Sequence, residues 1–75
     1  MNYMEECAYM LDNFFDNNGI KKEWFTDEMI DQMISFTYKN YYSYEMDEEY
    51  AVKAAVSEVV KDNGIEIDEF EFWIP

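Results

Sequence analysis

The chain has 75 residues, which is room for one domain, and its 18 Asp and Glu stand against five Lys with no Arg or His. The formal net charge of −13 at pH 7 works against binding to nucleic acid or to an anionic membrane and favours a basic protein surface as partner. Because 49% of the residues are apolar and 20% are aromatic, the composition is not that of a disordered acidic tail.

The first predicted element is an amphipathic helix that ends at the sequence DNNGI. Gly19 is placed to take the left-handed conformation that ends a helix, with Ile20 folding back on Phe15. The apolar stripe recurs at helical spacing and consists of Met4, Cys7, Ala8, Leu11, Phe14 and Phe15.

The second predicted helix begins at Thr26, its N-cap, with Phe25 placed to pack on Ile30. No Gly or Pro marks its end, so Asn40 or Ser43 is the expected break. Its buried stripe consists of Met29, Ile30, Met33, Ile34, Thr37 and Tyr41.

The third predicted helix has Asp47 as its N-cap and Met46 placed to reach Ala51. It ends at Asn63 and Gly64, where DNGI repeats the ending of the first helix. Because valine is a poor helix former, tertiary packing must hold this helix. Its inner side consists of Ala51, Val52, Ala55, Val56, Val59 and Val60.

The C-terminal sequence IEIDEFEFWIP changes from helical spacing to alternation, which predicts an extended segment or short strand. Such a segment needs something to pair with or pack against. The alternatives are residues 20–25 as a second strand, the surface of the helices, or the same segment of a second copy in a homodimer. The expected fold is therefore mainly α. Residues 1–75 form one acidic helical domain, a compact three-helix unit with an extended C-terminal segment or short β-strand.

The residue types offer little for catalysis or metal binding. There is no His to act as a base near neutral pH, and Cys7 lies on a buried stripe, where a thiol is usually inert packing. No register around Gly19 or Gly64 gives a calcium loop carboxylates at both its first and its last position. We expect no enzyme activity, no cofactor and no metal.

The expected compartment is the cytoplasm. The single Cys7 cannot form an internal disulfide, which favours a reducing environment. The first residues, MNYMEECAYML, carry no basic region ahead of the apolar ones, and no stretch is long and apolar enough to predict a membrane span.

Residues 41–50, YYSYEMDEEY, concentrate four tyrosines and four carboxylates. The net charge exceeds the roughly 2 to 8 units that keep a small domain soluble, and exposed tyrosines are typical anchors of protein interfaces. Like charges four residues apart on a helix, as at Asp27 and Asp31, lie roughly 5 to 6 Å apart, a separation comparable to that of neighbouring phosphates. The predicted partner-binding residues are Glu45, Asp47, Glu48, Glu49, Tyr42, Tyr44 and Tyr50, supported by Asp27 and Asp31.

In size, acidity, aromatic content and lack of a catalytic set, the whole chain resembles the small phage-encoded anti-CRISPR and anti-restriction proteins, several of which mimic nucleic acid. Residues 41–50 are the strongest part of this resemblance, which involves no shared motif. It implies an inhibitor in the host bacterial cytoplasm that blocks the DNA-binding groove of a CRISPR effector or restriction nuclease. The residues alone leave an alternative, an acidic adaptor or antitoxin-like module that binds one basic protein through its C-terminal strand.

Overall fold

Three helices make up most of the computed structural model, which describes residues 2–64. They are α1 (Tyr3–Asn18), α2 (Asp27–Tyr38) and α3 (Glu48–Asp62). The predicted mainly α, three-helix fold is confirmed, while the predicted C-terminal strand falls on residues 65–75, outside the described residues. None of the described helices combines the length and the apolarity needed to cross a membrane.

Both ends of α1 are fixed by local hydrogen bonds. At the start, the Asn2 side chain accepts the backbone N–H of Glu5 at 2.8 Å, a cap that was not predicted from the sequence. At the end, Gly19 has φ 66°, and the Ile20 N–H donates to the Phe15 carbonyl at 2.9 Å. These features are those of a Schellman ending, so the predicted stop of the helix is confirmed.

The core lies between the three helices, and α3 supplies its most regular face. All six inner positions predicted for α3 are buried. From α2, Met29, Met33 and Thr37 are buried, and the Thr37 hydroxyl is satisfied because it donates to the Met33 carbonyl at 2.7 Å. The remaining predicted residues of the α2 stripe are half-buried and pack against this core, namely Ile30, Ile34 and Tyr41.

One position of the predicted α1 stripe is wrong. Met4 is 42% exposed, whereas Met10, which the prediction left out, is buried. Met10 and Val52 of α3 line the same groove, so Met10 is buried because α3 packs beside it. Met4 lies in the first turn of α1, and the buried residues of that helix begin only at Cys7.

The connection between α1 and α2 is not the strand proposed for residues 20–25. It contains a 3-10 turn, Lys22–Trp24, in which the Trp24 N–H donates to the Lys21 carbonyl at 3.1 Å. The turn is held by two buried anchors, Ile20 before it and Phe25 after it. Because only eight residues, 19–26, join the two helices, burial of both anchors favours a tight local turn over extended pairing.

The backbone after Tyr38 continues as a π turn, Lys39–Ser43, closed by a hydrogen bond from the Tyr44 N–H to the Lys39 carbonyl at 3.1 Å. The break therefore follows Ser43, the second of the two predicted positions. Asp47 occupies the N-cap of α3 with an extended backbone, as predicted, but its side chain accepts no capping hydrogen bond.

The end of α3 repeats the end of α1 as far as the structure describes it. Gly64 has φ 74°, and its N–H donates to the Lys61 carbonyl at 3.1 Å, the inner bond of a Schellman ending. The predicted contact of Ile65 falls outside residues 2–64.

The two N-caps make different contacts and should differ in their contribution to stability. The Thr26 hydroxyl accepts the Met29 N–H at 3.2 Å, so Thr26→Ala is expected to lower the free energy of unfolding by about 1 kcal/mol. Asp47→Ala removes only a favourable charge near the α3 dipole, worth a few tenths of a kcal/mol. Urea unfolding followed by circular dichroism measures both, and equal losses would contradict the different capping at the two helices.

Candidate functional site

Residues 44–50, which we call the acidic corner, join the π turn to the first turn of α3. Every residue of the acidic corner except Met46 is exposed, with Tyr44 at 58% and Tyr50 at 60%. The four exposed carboxylates belong to Glu45, Asp47, Glu48 and Glu49. The structure therefore gathers six of the nine predicted binding residues into one exposed segment of seven.

Asn40 fixes the backbone of the acidic corner. Its carbonyl accepts the Met46 N–H at 3.0 Å, and its side-chain amide donates to the Ala51 carbonyl at 3.1 Å. The Ala51 N–H in turn donates to the Asp47 carbonyl at 2.8 Å. Because these bonds hold the backbone at Met46, at Asp47 and just after the corner at Ala51, the carboxylates are presented from a defined backbone.

Glu45 adopts a left-handed backbone with φ 54°, the only positive φ outside glycine among residues 2–64. A residue with a Cβ pays roughly 1 to 2 kcal/mol for this conformation, which Gly adopts freely and Asn tolerates better. Strained residues of this kind cluster at functional sites. The presence of a glutamate at this position favours a use for its carboxylate.

The carboxylates of the acidic corner have no ion-pair partner within residues 2–64. The one ion pair in that range joins Lys22 to Asp12 of α1. Lys39, the first residue of the π turn, lies over the ring of Tyr44 with its Nζ 5.7 Å from the ring centroid. The corner thus keeps its negative charge available to an external cation.

Asp27 and Asp31 are exposed but belong to a separate part of the surface. They lie in the first half of α2, roughly 10 to 17 Å along the helix axis from its end at Tyr38. Glu58, by contrast, lines one groove together with Lys39 and Tyr44. It therefore lies beside the acidic corner, although it was absent from the predicted site.

Tyr42 is turned toward α1. It is half-buried, and its hydroxyl donates to Glu6 Oε2 at 2.8 Å. The hydrogen bond to Glu6, followed by burial and the negative charge of Glu6, raises the pKa of Tyr42 well above the ordinary tyrosine value. The sequence could not have indicated this pairing, because 36 residues separate the two side chains.

Four tyrosines, Tyr3, Tyr38, Tyr41 and Tyr42, form what we call the tyrosine cluster. The ring of Tyr42 lies 4.9 Å from Tyr3, 5.1 Å from Tyr38 and 4.9 Å from Tyr41, measured between centroids. Tyr3 is the first residue of α1, Tyr38 is the last residue of α2, and Tyr41 and Tyr42 belong to the π turn. The cluster therefore connects the start of α1 to the end of α2.

Two shallow grooves flank the acidic corner. One, of about 320 Å³, has a floor of Met10, Phe14 and Val52 and is lined on one side by Glu48 and Glu49. The other, of about 290 Å³, contains Tyr44, Lys39 and Glu58. Within residues 2–64 no group of three potential metal ligands comes together.

Cys7 lies in the core and is fully buried. Burial, followed by the charge of Glu6, raises the pKa of the thiol. A thiol held in this protonated, buried state is a poor nucleophile.

No protein-family model matches the sequence, and no curated protein or solved structure matches it either. The function is therefore inferred from the surface itself.

The strain at Glu45 predicts a stabilising substitution inside the candidate site. Glu45→Gly is expected to raise the free energy of unfolding by about 1 kcal/mol, because glycine adopts φ 54° freely. Glu45→Gln, the matched control, removes the same charge but keeps the Cβ, so its effect should be much smaller. Urea unfolding of both variants measures the difference, and a larger gain for Gln than for Gly would contradict backbone strain.

The raised pKa of Tyr42 predicts how its contribution to stability depends on pH. Below about pH 10, the ordinary tyrosine pKa, the phenol is protonated in both states and its contribution is complete. As the pH rises further, the unfolded chain ionises first, so this contribution is lost.

Tyr42→Phe has no phenol to ionise at this position. Urea unfolding of the wild type and Tyr42→Phe in parallel should therefore show a stability difference that shrinks above about pH 10. A difference independent of pH would contradict the hydrogen bond to Glu6.

Proposed function

We propose that the protein is a non-catalytic inhibitor that occupies the basic nucleic-acid-binding groove of a CRISPR effector or restriction nuclease in place of DNA. The observation that carries this proposal is the acidic corner, where four exposed carboxylates without ion-pair partners in residues 2–64 stand on a hydrogen-bonded backbone. The left-handed backbone of Glu45 also supports the proposal, because the fold keeps a strained conformation at a residue that exposes a carboxylate.

Electrostatics supports a groove built for nucleic acid as the target. Duplex DNA carries one charge per roughly 1.7 Å of its axis, and a protein that binds it releases counterions through Lys and Arg. A compact set of carboxylates can form ion pairs with the same Lys and Arg side chains. Because the acidic corner is ordered by folding, binding loses less conformational entropy than it would with a disordered acidic tail.

The two exposed tyrosines of the acidic corner supply apolar contact beside the charges. Tyr44 and Tyr50 are among the residue types that most often anchor protein interfaces. Lys39 already lies over the Tyr44 ring, which shows that this ring accommodates a cation. The exposed ring of Tyr50 offers a similar contact to an arginine or lysine of the partner.

The setting of this function follows from the target and is part of the proposal. A CRISPR effector or restriction nuclease acts in the bacterial cytoplasm, so a phage-encoded inhibitor acts there as well. The acidity of the chain disfavours direct binding to nucleic acid or to an anionic membrane. A homodimer formed through the C-terminal segment stays a prediction, because that segment falls on residues 65–75.

A charge-matched pair of variants tests the acidic corner. The corner variant carries Glu45→Gln, Asp47→Asn, Glu48→Gln and Glu49→Gln. The control loses four exposed acids elsewhere through Asp16→Asn, Glu23→Gln, Glu28→Gln and Asp62→Asn. Each immobilised protein is exposed to a bacterial lysate, the captured nucleic-acid-binding protein is identified, and its release by duplex DNA is measured.

We expect the corner variant to bind the captured protein at least about tenfold more weakly, since two lost charge contacts of about 1 kcal/mol each are sufficient. The control variant should bind like the wild type, and both DNA and salt should displace the partner. If the corner variant binds as tightly as the control, the mimic proposal is wrong. Loss of binding only on substitution of Phe70, Phe72 and Trp73 would instead support the strand-adding adaptor.

A further inference from the structure

We infer that the tyrosine cluster, together with Glu6, is a second contact surface that receives an arginine side chain of the basic partner. The identity of that partner rests on the proposed function. The surface itself uses residues of α1, the end of α2 and the π turn, none of them in the acidic corner, so it can be tested separately.

Tyr3 gives this surface its open side. Its ring centroid lies 4.9 Å from Tyr42 and 6.3 Å from Tyr38, yet Tyr3 remains 59% exposed. The rings are tilted by 51° to 55°, so Tyr3 contacts its neighbours without stacking flat against them. One aromatic face is therefore available to a ligand, and the contacts with Tyr38 and Tyr42 hold it in place.

The charges around the cluster favour a cation. Aromatic faces carry the negative part of the ring quadrupole, and they attract Lys, Arg and ligand cations within about 6 Å. Glu6 Oε2 accepts the Tyr42 hydroxyl, whereas Glu6 Oε1 has no described partner within residues 2–64. Over the same residues the cation–π contact of the chain's own lysines is on Tyr44, so no internal cation occupies this cluster.

Arginine fits these groups better than lysine does. Its guanidinium is planar and weakly hydrated, and it can lie on an aromatic face while its N–H groups donate within the guanidinium plane. A carboxylate next to the rings matches that pattern of donors. Lysine is a strongly hydrated point charge that gains less from stacking.

NMR titration with a blocked peptide that contains one arginine tests the inference. Saturable shifts are expected for the ring protons of Tyr3, Tyr38 and Tyr42. The same peptide with lysine in place of arginine should bind about threefold more weakly, and the neutral citrulline peptide should cause no saturable shift. The lysine peptide has the same charge, so it separates stacking from general attraction to an acidic protein.

Substitutions identify the residues that bind the arginine peptide. Glu6→Gln and Tyr3→Leu should each weaken arginine-peptide binding about threefold, while Tyr3→Phe, which keeps the ring, and Glu23→Gln, a charge-matched control, should not. The amide spectrum confirms that each variant is folded, and leucine retains apolar contact where an alanine can loosen the first turn of α1.

Equal shifts with lysine and arginine, equal shifts at Tyr9 and Tyr50, or an unchanged response in folded Tyr3→Leu would overturn the inference. The corner variant should still bind the peptide, because the two surfaces share no residue. If the peptide response fails while capture remains sensitive to DNA, only the second surface is lost. If DNA-sensitive capture fails while the peptide response remains, the proposed function is lost.

Discussion

Burial of the valine face of α3 is the constraint on which the rest of the structure depends. Valine is a poor helix former, so α3 is stable only when Val52, Val56, Val59 and Val60 pack against α1 and α2. The acidic corner leads directly into this helix and is bonded to Ala51 through Asn40. The arrangement of its carboxylates is therefore a property of the folded chain, because tertiary packing creates the helix that positions them.

The positions of the acidic residues also reduce the electrostatic repulsion within this highly charged chain. Each of the three helices begins with two carboxylates in its first turn, where the positive end of the helix dipole lies. These placements offset part of the repulsion without lysine partners, so charge stays accessible at the surface. The residues concerned are Glu5, Glu6, Asp27, Glu28, Glu48 and Glu49.

Features set by local chemistry could be read from the sequence, and features set by packing or long-range contact could not. Gly19 and Thr26 act within one turn of the chain, and both predictions are confirmed. The choice of Met10 over Met4 depends on where α3 lies, which periodicity alone does not fix. In the candidate site, the acids of residues 45–49 were predicted from their concentration in one short segment. The pairing of Tyr42 with α1 is a long-range contact that no local pattern signals.

The π turn at Lys39–Ser43 winds one more residue into its ring than an α-helical turn does. An α-helix turns by about 100° per residue and a π turn by less, because its ring holds one residue more. The π turn therefore sets the direction in which the chain leaves α2 toward the acidic corner. The orientation of the acidic corner on the molecule thus depends on how this one turn is wound.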